Sequence, residues 1–179
     1  QYYLENMKGS SDHILSLVND LLDFQRLESG EMEVHSVPFR VPALFDEIYT
    51  SFQPIAEAKG LRFVLNLKPE ETGQVYMGDP IRIRQVVGNL LSNAIKFTEA
   101  GRVVLLVSLQ KLSAVHYQLS ITVSDSGPGI PKEEQERIFG EFTRLADTEE
   151  VEGFGLGLSI SRKLLSLMKG TLALDSTPG

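Results

Sequence analysis

The chain contains no cysteine. That excludes a disulfide framework, a thiolate zinc site and a cysteine nucleophile. No apolar run approaches the roughly 20 residues needed to cross a bilayer, and the first residues do not read as a signal peptide. Positive charge is not in excess: 17 Lys and Arg against 24 Asp and Glu give a formal net charge of -7. A bulk basic surface is therefore not expected, and neither a nucleic-acid partner nor membrane contact is predicted for this chain. The pattern G-x-x-x-x-G-K-[ST] occurs nowhere, which excludes a P-loop. What remains is globular composition, 42% hydrophobic and 23% charged over 179 residues. That suits a soluble domain, or one domain with an appendage.

The charge divides unevenly. Residues 1–40 hold 7 acids and 3 bases, and residues 41–179 hold 17 acids and 14 bases. From Tyr2 to about Glu28 apolar residues recur at Leu4, Met7, Ile14, Val18 and Leu21, a helical spacing that passes through Ser11, with Leu15, Leu17, Leu22, Phe24 and Leu27 widening the stripe. This predicts one amphipathic helix of about 40 Å, stopped at Ser29-Gly30. A stripe so wide must pack on something, and half of a helical hairpin that dimerises into a bundle fits better than a core helix. Beyond it the pattern predicts a short strand over Glu33 to Phe39 and a helix from Val41 to Lys59 with Leu44, Ile48, Phe52, Ile55 and Ala56 on one face. Strands at Leu61 to Leu67 and around Tyr76 come next. Asp79-Pro80 is a helix start, with Asp as N-cap and Pro at the first helical position, and that helix runs to about Phe97. Val103 to Leu109 and Val115 to Val123 read as a hairpin. A short helix from Pro131 to Phe139, an irregular acidic stretch over about 140–152, a helix from Leu156 to Met168 and the start of a strand at Thr171 to Leu174 complete the chain.

Three segments carry chemistry. On the Asp79–Phe97 helix, Asn89, Asn93 and Lys96 stand at i, i+4 and i+7, so they share a side. Most polar stripes are only solvated, yet each mid-helix Asn costs about half a kcal/mol relative to Ala. Two of them beside a lysine supply amide oxygens for a hard cation and an ammonium for phosphate. Asp125-Ser126-Gly127-Pro128-Gly129-Ile130 follows a well-patterned strand. Its carboxylate can accept from an exocyclic amine, and its glycines admit a flat ligand. Gly153-Phe154-Gly155-Leu156-Gly157-Leu158 leads into a helix, where bare N–H groups and the helix N-terminus suit phosphate. Six of the 15 glycines lie within residues 127–157. Each segment alone has a bland reading, as a solvated face, a turn or a hinge.

In this order they closely resemble the ATP-binding domain of sensor histidine kinases. Asn89 to Thr98, Asp125 to Ile130, Phe139-Gly140-Glu141-Phe142 and Gly153 to Leu158 match that family's N, G1, F and G2 boxes. Leu17 to Phe24, with Glu28-Ser29-Gly30, is similar to the second helix of its dimerisation hairpin. The resemblance implies that Asp125 hydrogen-bonds the adenine amine, that Gly129 leaves room for the ring and that Phe97 lies beside the base. It implies Asn93 as a Mg²⁺ ligand supported by Asn89, and Lys96, Gly155 and Gly157 as phosphate contacts. Gly127, Ile130, Phe142, Gly153, Leu156 and Leu158 enter as members of the same boxes. Residues 140–152 would form an ATP lid with Arg144 facing phosphate, and Asp147, Glu149, Glu150 and Glu152 turned away. Related ATPases of the gyrase, mismatch-repair and heat-shock chaperone type place a water-activating glutamate where Asn89 stands. An amide cannot take that proton at neutral pH, so the residue fits holding ATP for a protein nucleophile.

The family's phosphoacceptor lies in an H-E-x-x-x-P setting, and none of His13, His35 and His116 does. The expectation is thus an α+β chain in two parts. Residues 1–34 are the second helix of the hairpin, without the acceptor helix. Residues 35–179 are the ATP-binding domain, a two-layer α/β sandwich with a mixed sheet of Bergerat type, short of its last strand. It would bind ATP and Mg²⁺ for transfer to a histidine outside the chain and onward to a receiver-domain aspartate of a response regulator. The full-length protein would be a homodimer with this part cytoplasmic and a membrane anchor elsewhere optional. A hydrolytic ATPase and a non-catalytic interaction module are the alternatives.

Overall fold

The computed structural model describes residues 15, 18–19, 21–68, 74–143 and 155–179. It divides into two compact units. One comprises the described residues up to Val34 together with Ile130–Ser176, the other His35–Gly129 with Thr177–Gly179.

In the second of these, the core is made by two helices on a mixed sheet. Helix α2 (Val41–Ala58) opens with Pro42 in its first turn and buries Val41, Leu44, Phe45, Ile48 and Ala56. Ile55, expected on that face, is 54% exposed. It lies one step off the stripe that runs through Phe52 and Ala56, and a helix turns each step by about 100°. Gly60 ends α2 at φ 74°, with Gly60 N–H on the Glu57 carbonyl and Leu61 N–H on that of Ala56. This is a Schellman cap, in which glycine takes the left-handed conformation without strain. The chain continues into β2 (Arg62–Leu67) and then β3 (Tyr76–Gly78), which pairs antiparallel with β1 (Val37–Phe39).

Helix α3 (Pro80–Phe97) starts where Asp79-Pro80 predicts. Asp79 is 5% exposed, and both carboxylate oxygens are used: Oδ1 accepts from Arg82 N–H (3.0 Å) and Oδ2 from His35 N–H (2.9 Å). One buried side chain thereby caps a helix and fixes the segment before β1. Val86, Val87, Leu91, Ala94 and Ile95 form the buried face of α3. Of these, Val87, Leu91, Ala94 and Ile95 meet Phe45, Ile48, Val103, Leu105 and Val107 in one core. Strand β4 (Arg102–Lys111) is central, parallel to β2 on one side and antiparallel to β5 (Tyr117–Asp125) on the other. The β4–β5 register runs from Lys111↔Tyr117 to Val103↔Asp125. Asp125 is therefore the last rung of the hairpin.

In the other unit, residues 21–28 form helix α1, with residues 15, 18 and 19 also helical. Gly30, at φ 72°, follows its C-terminal turn. Leu15, Val18, Leu21 and Leu22 are exposed, while Leu4, Met7, Ser11, Ile14 and Leu17 lie outside the described residues. Pro131 to Phe139 is not the α-helix expected. Residues 132–136 are turns and only Arg137–Phe139 is helical, as a 3₁₀ turn. Its bonds are mostly i→i−3, from Glu134 to Pro131, Gln135 to Lys132 and Gly140 to Arg137. A charged stretch with one buried apolar residue, Ile138, has too little face to hold an α-helix in place. Helix α4 (Gly157–Leu167) buries Ser159, Ile160, Ser161 and Leu164. Thr171 to Leu174 forms no strand. The alternation there is only four residues long, and no ladder partner is present among the described residues to satisfy its backbone.

Candidate functional site

Asn89, Asn93 and Lys96 are half-buried in a row on α3. Lys96 Nζ lies 5.3 Å from the centre of the Phe97 ring, and Phe97 is 37% exposed. The end of α3 is held from outside the helix. Lys59 Nζ donates to the carbonyls of Ile95 (2.8 Å) and Lys96 (2.6 Å). An ammonium at a helix C-terminus meets both the orphan carbonyls and the negative end of the dipole. The backbone leaves the helix at Thr98, whose N–H still reaches the Ala94 carbonyl at 3.1 Å.

Beyond the last rung of β5, Gly127 N–H donates to Asp125 Oδ1 at 2.9 Å, an Asx-type turn that orients the carboxylate. A Cβ on Gly127 would come within 2.8 Å of that oxygen and 3.3 Å of the Phe97 carbonyl. Glycine is thus needed for the end of α3 and the turn after β5 to approach. Ser126 ties the two segments further. Its Oγ accepts from Arg102 N–H (2.9 Å) and donates to the Ala100 carbonyl (3.1 Å). Gly129 has φ 73°, and a Cβ there would lie 2.1 Å from the Thr177 carbonyl oxygen. Gly179 N–H donates to the Pro128 carbonyl (3.1 Å). Backbone packing is a sufficient reason for this glycine.

The remaining predicted residues belong to the other unit. Ile130 N–H donates to Ser176 Oγ (2.9 Å), and Gln135 Nε2 donates to the carbonyls of Ile130 (2.9 Å) and Ser176 (2.8 Å). Gly155, at φ 70°, backs onto Thr143, whose carbonyl oxygen would be 2.4 Å from a Cβ. Buried Leu156 precedes Gly157 and Leu158, which begin α4. The N-cap residue Leu156 makes no side-chain hydrogen bond to this N-terminus, which carries the positive end of the helix dipole. Phe142 is 58% exposed with φ 56°, and its ring meets Phe24 edge-on at 6.0 Å. Lys163 joins this group, donating to Glu141 Oε1 (2.6 Å) and Glu28 Oε1 and lying 4.6 Å from the centre of the Phe24 ring. Burial lowers the Lys163 pKa. The hydrogen bonds and charges of Glu141 and Glu28 outweigh that effect and leave it above the ordinary lysine value. Arg144, Gly153 and Phe154, with the acidic Asp147, Glu149, Glu150 and Glu152, lie outside the described residues.

The structure therefore brings together Phe97, Asp125 and Gly127 at the end of the helix that carries Asn89, Asn93 and Lys96. The sequence gives no role to Lys59 or Ser126, whose partners lie 36 and 24 or more residues away, and does not single out Thr98. The one signal for Thr98 is a hydroxyl directly after the helix. Among the described residues no group of three or more His, Cys, Asp or Glu could hold a metal.

Residues 78–179, more than half of the chain, match the model of the family described as histidine kinase-, DNA gyrase B- and HSP90-like ATPase. The chain belongs to this family. Its relatives include the signal transduction histidine-protein kinase BarA of Escherichia coli, 38% identical over 98% of this chain and 19% of BarA. Among solved structures, full-length ShkA in complex with AMPPNP superposes with a TM-score of 0.77 at 33% identity, covering 94% of this chain and 34% of ShkA. The histidine kinase ThkA, solved in complex with the response regulator protein TrrA, gives a TM-score of 0.65 at 25% identity over 95% of this chain and 45% of ThkA. The chain spans about a fifth of the length of the curated relatives it matches. The mixed sheet with helices is that of the histidine kinase catalytic domain.

Proposed function

We propose that the chain binds ATP with Mg²⁺ and serves as the catalytic part of a protein-histidine kinase. The observation that carries this reading is the placement of the Asp125–Gly127 turn against the end of α3. An oriented carboxylate stands there at the end of the helix that bears two amides and an ammonium. Asp125 would accept from the adenine amine, with Phe97 beside the base. Lys96 would meet phosphate, as would the backbone N–H groups of Gly155 and Gly157. Asn93, supported by Asn89, offers an amide oxygen of the kind a hard cation accepts, and its half-buried position on α3 fits. Mg²⁺, when bound, would neutralise charge on the triphosphate.

The residues of this chain position and neutralise; they do not attack. The nucleophile would be an imidazole nitrogen of a histidine outside the chain. Its bond to the γ-phosphorus forms as the bond to the β–γ bridging oxygen breaks, and ADP leaves. The phosphoryl group would then pass to an aspartate of a response regulator. The exposed Leu15, Val18, Leu21 and Leu22 support α1 as part of a dimerising bundle. No helix among the described residues is long and apolar enough to cross a membrane; the proposed use of ATP would put this part of the protein on the cytoplasmic side. Isothermal titration with Mg·ATP is the test. Asp125→Asn is expected to weaken binding by about 10- to 100-fold, the range for a hydrogen bond to a charged group. Equal binding by wild type and variant would refute the site. With Asn89 in place of a general base, steady ATP turnover by the chain alone is expected to be negligible, as a phosphate-release assay would show.

A further inference from the structure

Thr98 is the first residue beyond α3, and its side chain is fully buried. Its Oγ1 is the one buried side-chain polar atom among the described residues without a hydrogen-bond partner in the protein. A buried hydroxyl in that state is costly, so its partner is expected to come from outside the protein. The neighbours indicate what kind. A Cβ on Gly127 would meet Asp125 Oδ1 at 2.8 Å, the Phe97 carbonyl oxygen at 3.3 Å and Thr98 Oγ1 at 3.4 Å. Three oxygens thus gather on the side of Gly127 where a side chain is missing. The carboxylate and the carbonyl can only accept, whereas the hydroxyl can also donate. Asp125 Oδ1 takes the Gly127 N–H, and Thr98 Oγ1 bonds to neither neighbouring oxygen. Beside Gly127, Asp125 thus offers an acceptor, and the Thr98 hydroxyl, 3.4 Å from the same Cβ point, holds an unused donor.

We propose that Thr98 is a specificity-determining residue of the base site. Building on the nucleotide reading above, Asp125 accepts from the exocyclic amine, and the Thr98 hydroxyl donates to the adjacent ring nitrogen, directly or through one ordered water. Adenine presents an amine followed by a bare ring nitrogen, which complements this pair. Guanine presents a carbonyl followed by an N–H, which opposes it at both positions. A site built on buried polar groups rejects the mismatched edge because its own groups are left unpaired.

The test is calorimetric titration of the whole chain with Mg·ATP, Mg·GTP and the magnesium complex of 1-deaza-ATP, in which the ring nitrogen is replaced by C–H. Thr98→Val, which keeps the shape and loses the hydroxyl, is expected to weaken ATP binding about tenfold. Thr98→Ser should restore it to within about twofold of wild type, as expected for a hydroxyl retained in place. Wild type should bind 1-deaza-ATP about tenfold more weakly than ATP, and Thr98→Val should bind the two alike. The assignment is overturned if Thr98→Val keeps wild-type affinity, or if it weakens ATP and 1-deaza-ATP equally, which is the mark of a structural role. Should Thr98→Val fail to fold, wild type decides: equal affinity for ATP and 1-deaza-ATP refutes the proposal. Wild type that binds no nucleotide refutes the nucleotide reading as well, whereas one that binds ATP without distinguishing GTP or 1-deaza-ATP refutes only the role of Thr98.

Discussion

Asp125 ends a strand whose residues are all paired across to β4, while Gly155 sits in a turn backed by Thr143. Each is a proposed nucleotide contact, but they are positioned by different physics. Asn89, Asn93, Lys96 and Asp125 stand on regular elements whose opposite faces fill a core from Phe45 to Val107. Their positions follow from helix and strand geometry and need few contacts of their own. Gly155 and Gly157 are positioned by close backbone approach and the start of α4. Such positions depend on the absence of a side chain more than on the presence of one.

That contrast can be broken at its strongest point first. Leu91 is fully buried on α3. Leu91→Ala is expected to cost about 2–5 kcal/mol, read by urea denaturation. A loss under about 1 kcal/mol would mean that the core does not anchor α3. Gly155→Ala comes next, at about 1–3 kcal/mol, because it forces a side chain into a positive-φ site facing a carbonyl oxygen. Its counterpart is Gly88→Ala, inside α3, where a Cβ would meet Phe52 at an ordinary 3.7 Å. That change is expected to stabilise by about 0.5–1 kcal/mol. Opposite shifts in melting temperature would confirm that the two regions use glycine differently; shifts of one sign would dissolve the distinction.

The smallest effect is expected at Lys163. Its partly exposed ion pairs with Glu28 and Glu141 contribute about 0.5 kcal/mol or less, and less again at high salt. Its folded pKa lies above the ordinary 10.5. The contribution is therefore fully present below that value and is lost as pH rises through the folded pKa. The stability difference between wild type and Lys163→Met should be flat from neutral pH to about 10 and shrink above it. A difference that grows with pH would contradict the assignment.

The regular elements were legible because their signals are local. Asp79-Pro80 announced α3, Gly60 ended α2, and the alternation from Val115 to Val123 marked β5. The order of the three chemical segments pointed to the family from sequence alone. The misreadings came where a local pattern needed a distant partner. Pro131 to Phe139 had helical length but one buried residue, and Thr171 to Leu174 alternated without a strand to pair with among the described residues. The same reason hid Lys59 on the end of α3, the Thr177 backbone against Gly129, and the burial of Thr98. Each is a contact between residues far apart in the chain, which no window of neighbours displays.

The hairpin has a further consequence. Residues 112–116 join β4 to β5 at the end of the ladder opposite Asp125, and the rungs between count one residue against one. Strand side chains alternate in direction, so a slip of a single residue would exchange inside for outside along the whole strand. Asp125 would then yield its place to Ser124 or Ser126, neither of which carries a carboxylate. The length of an exposed loop therefore acts as an address, specifying which residue is delivered to the end of the ladder eight rungs away.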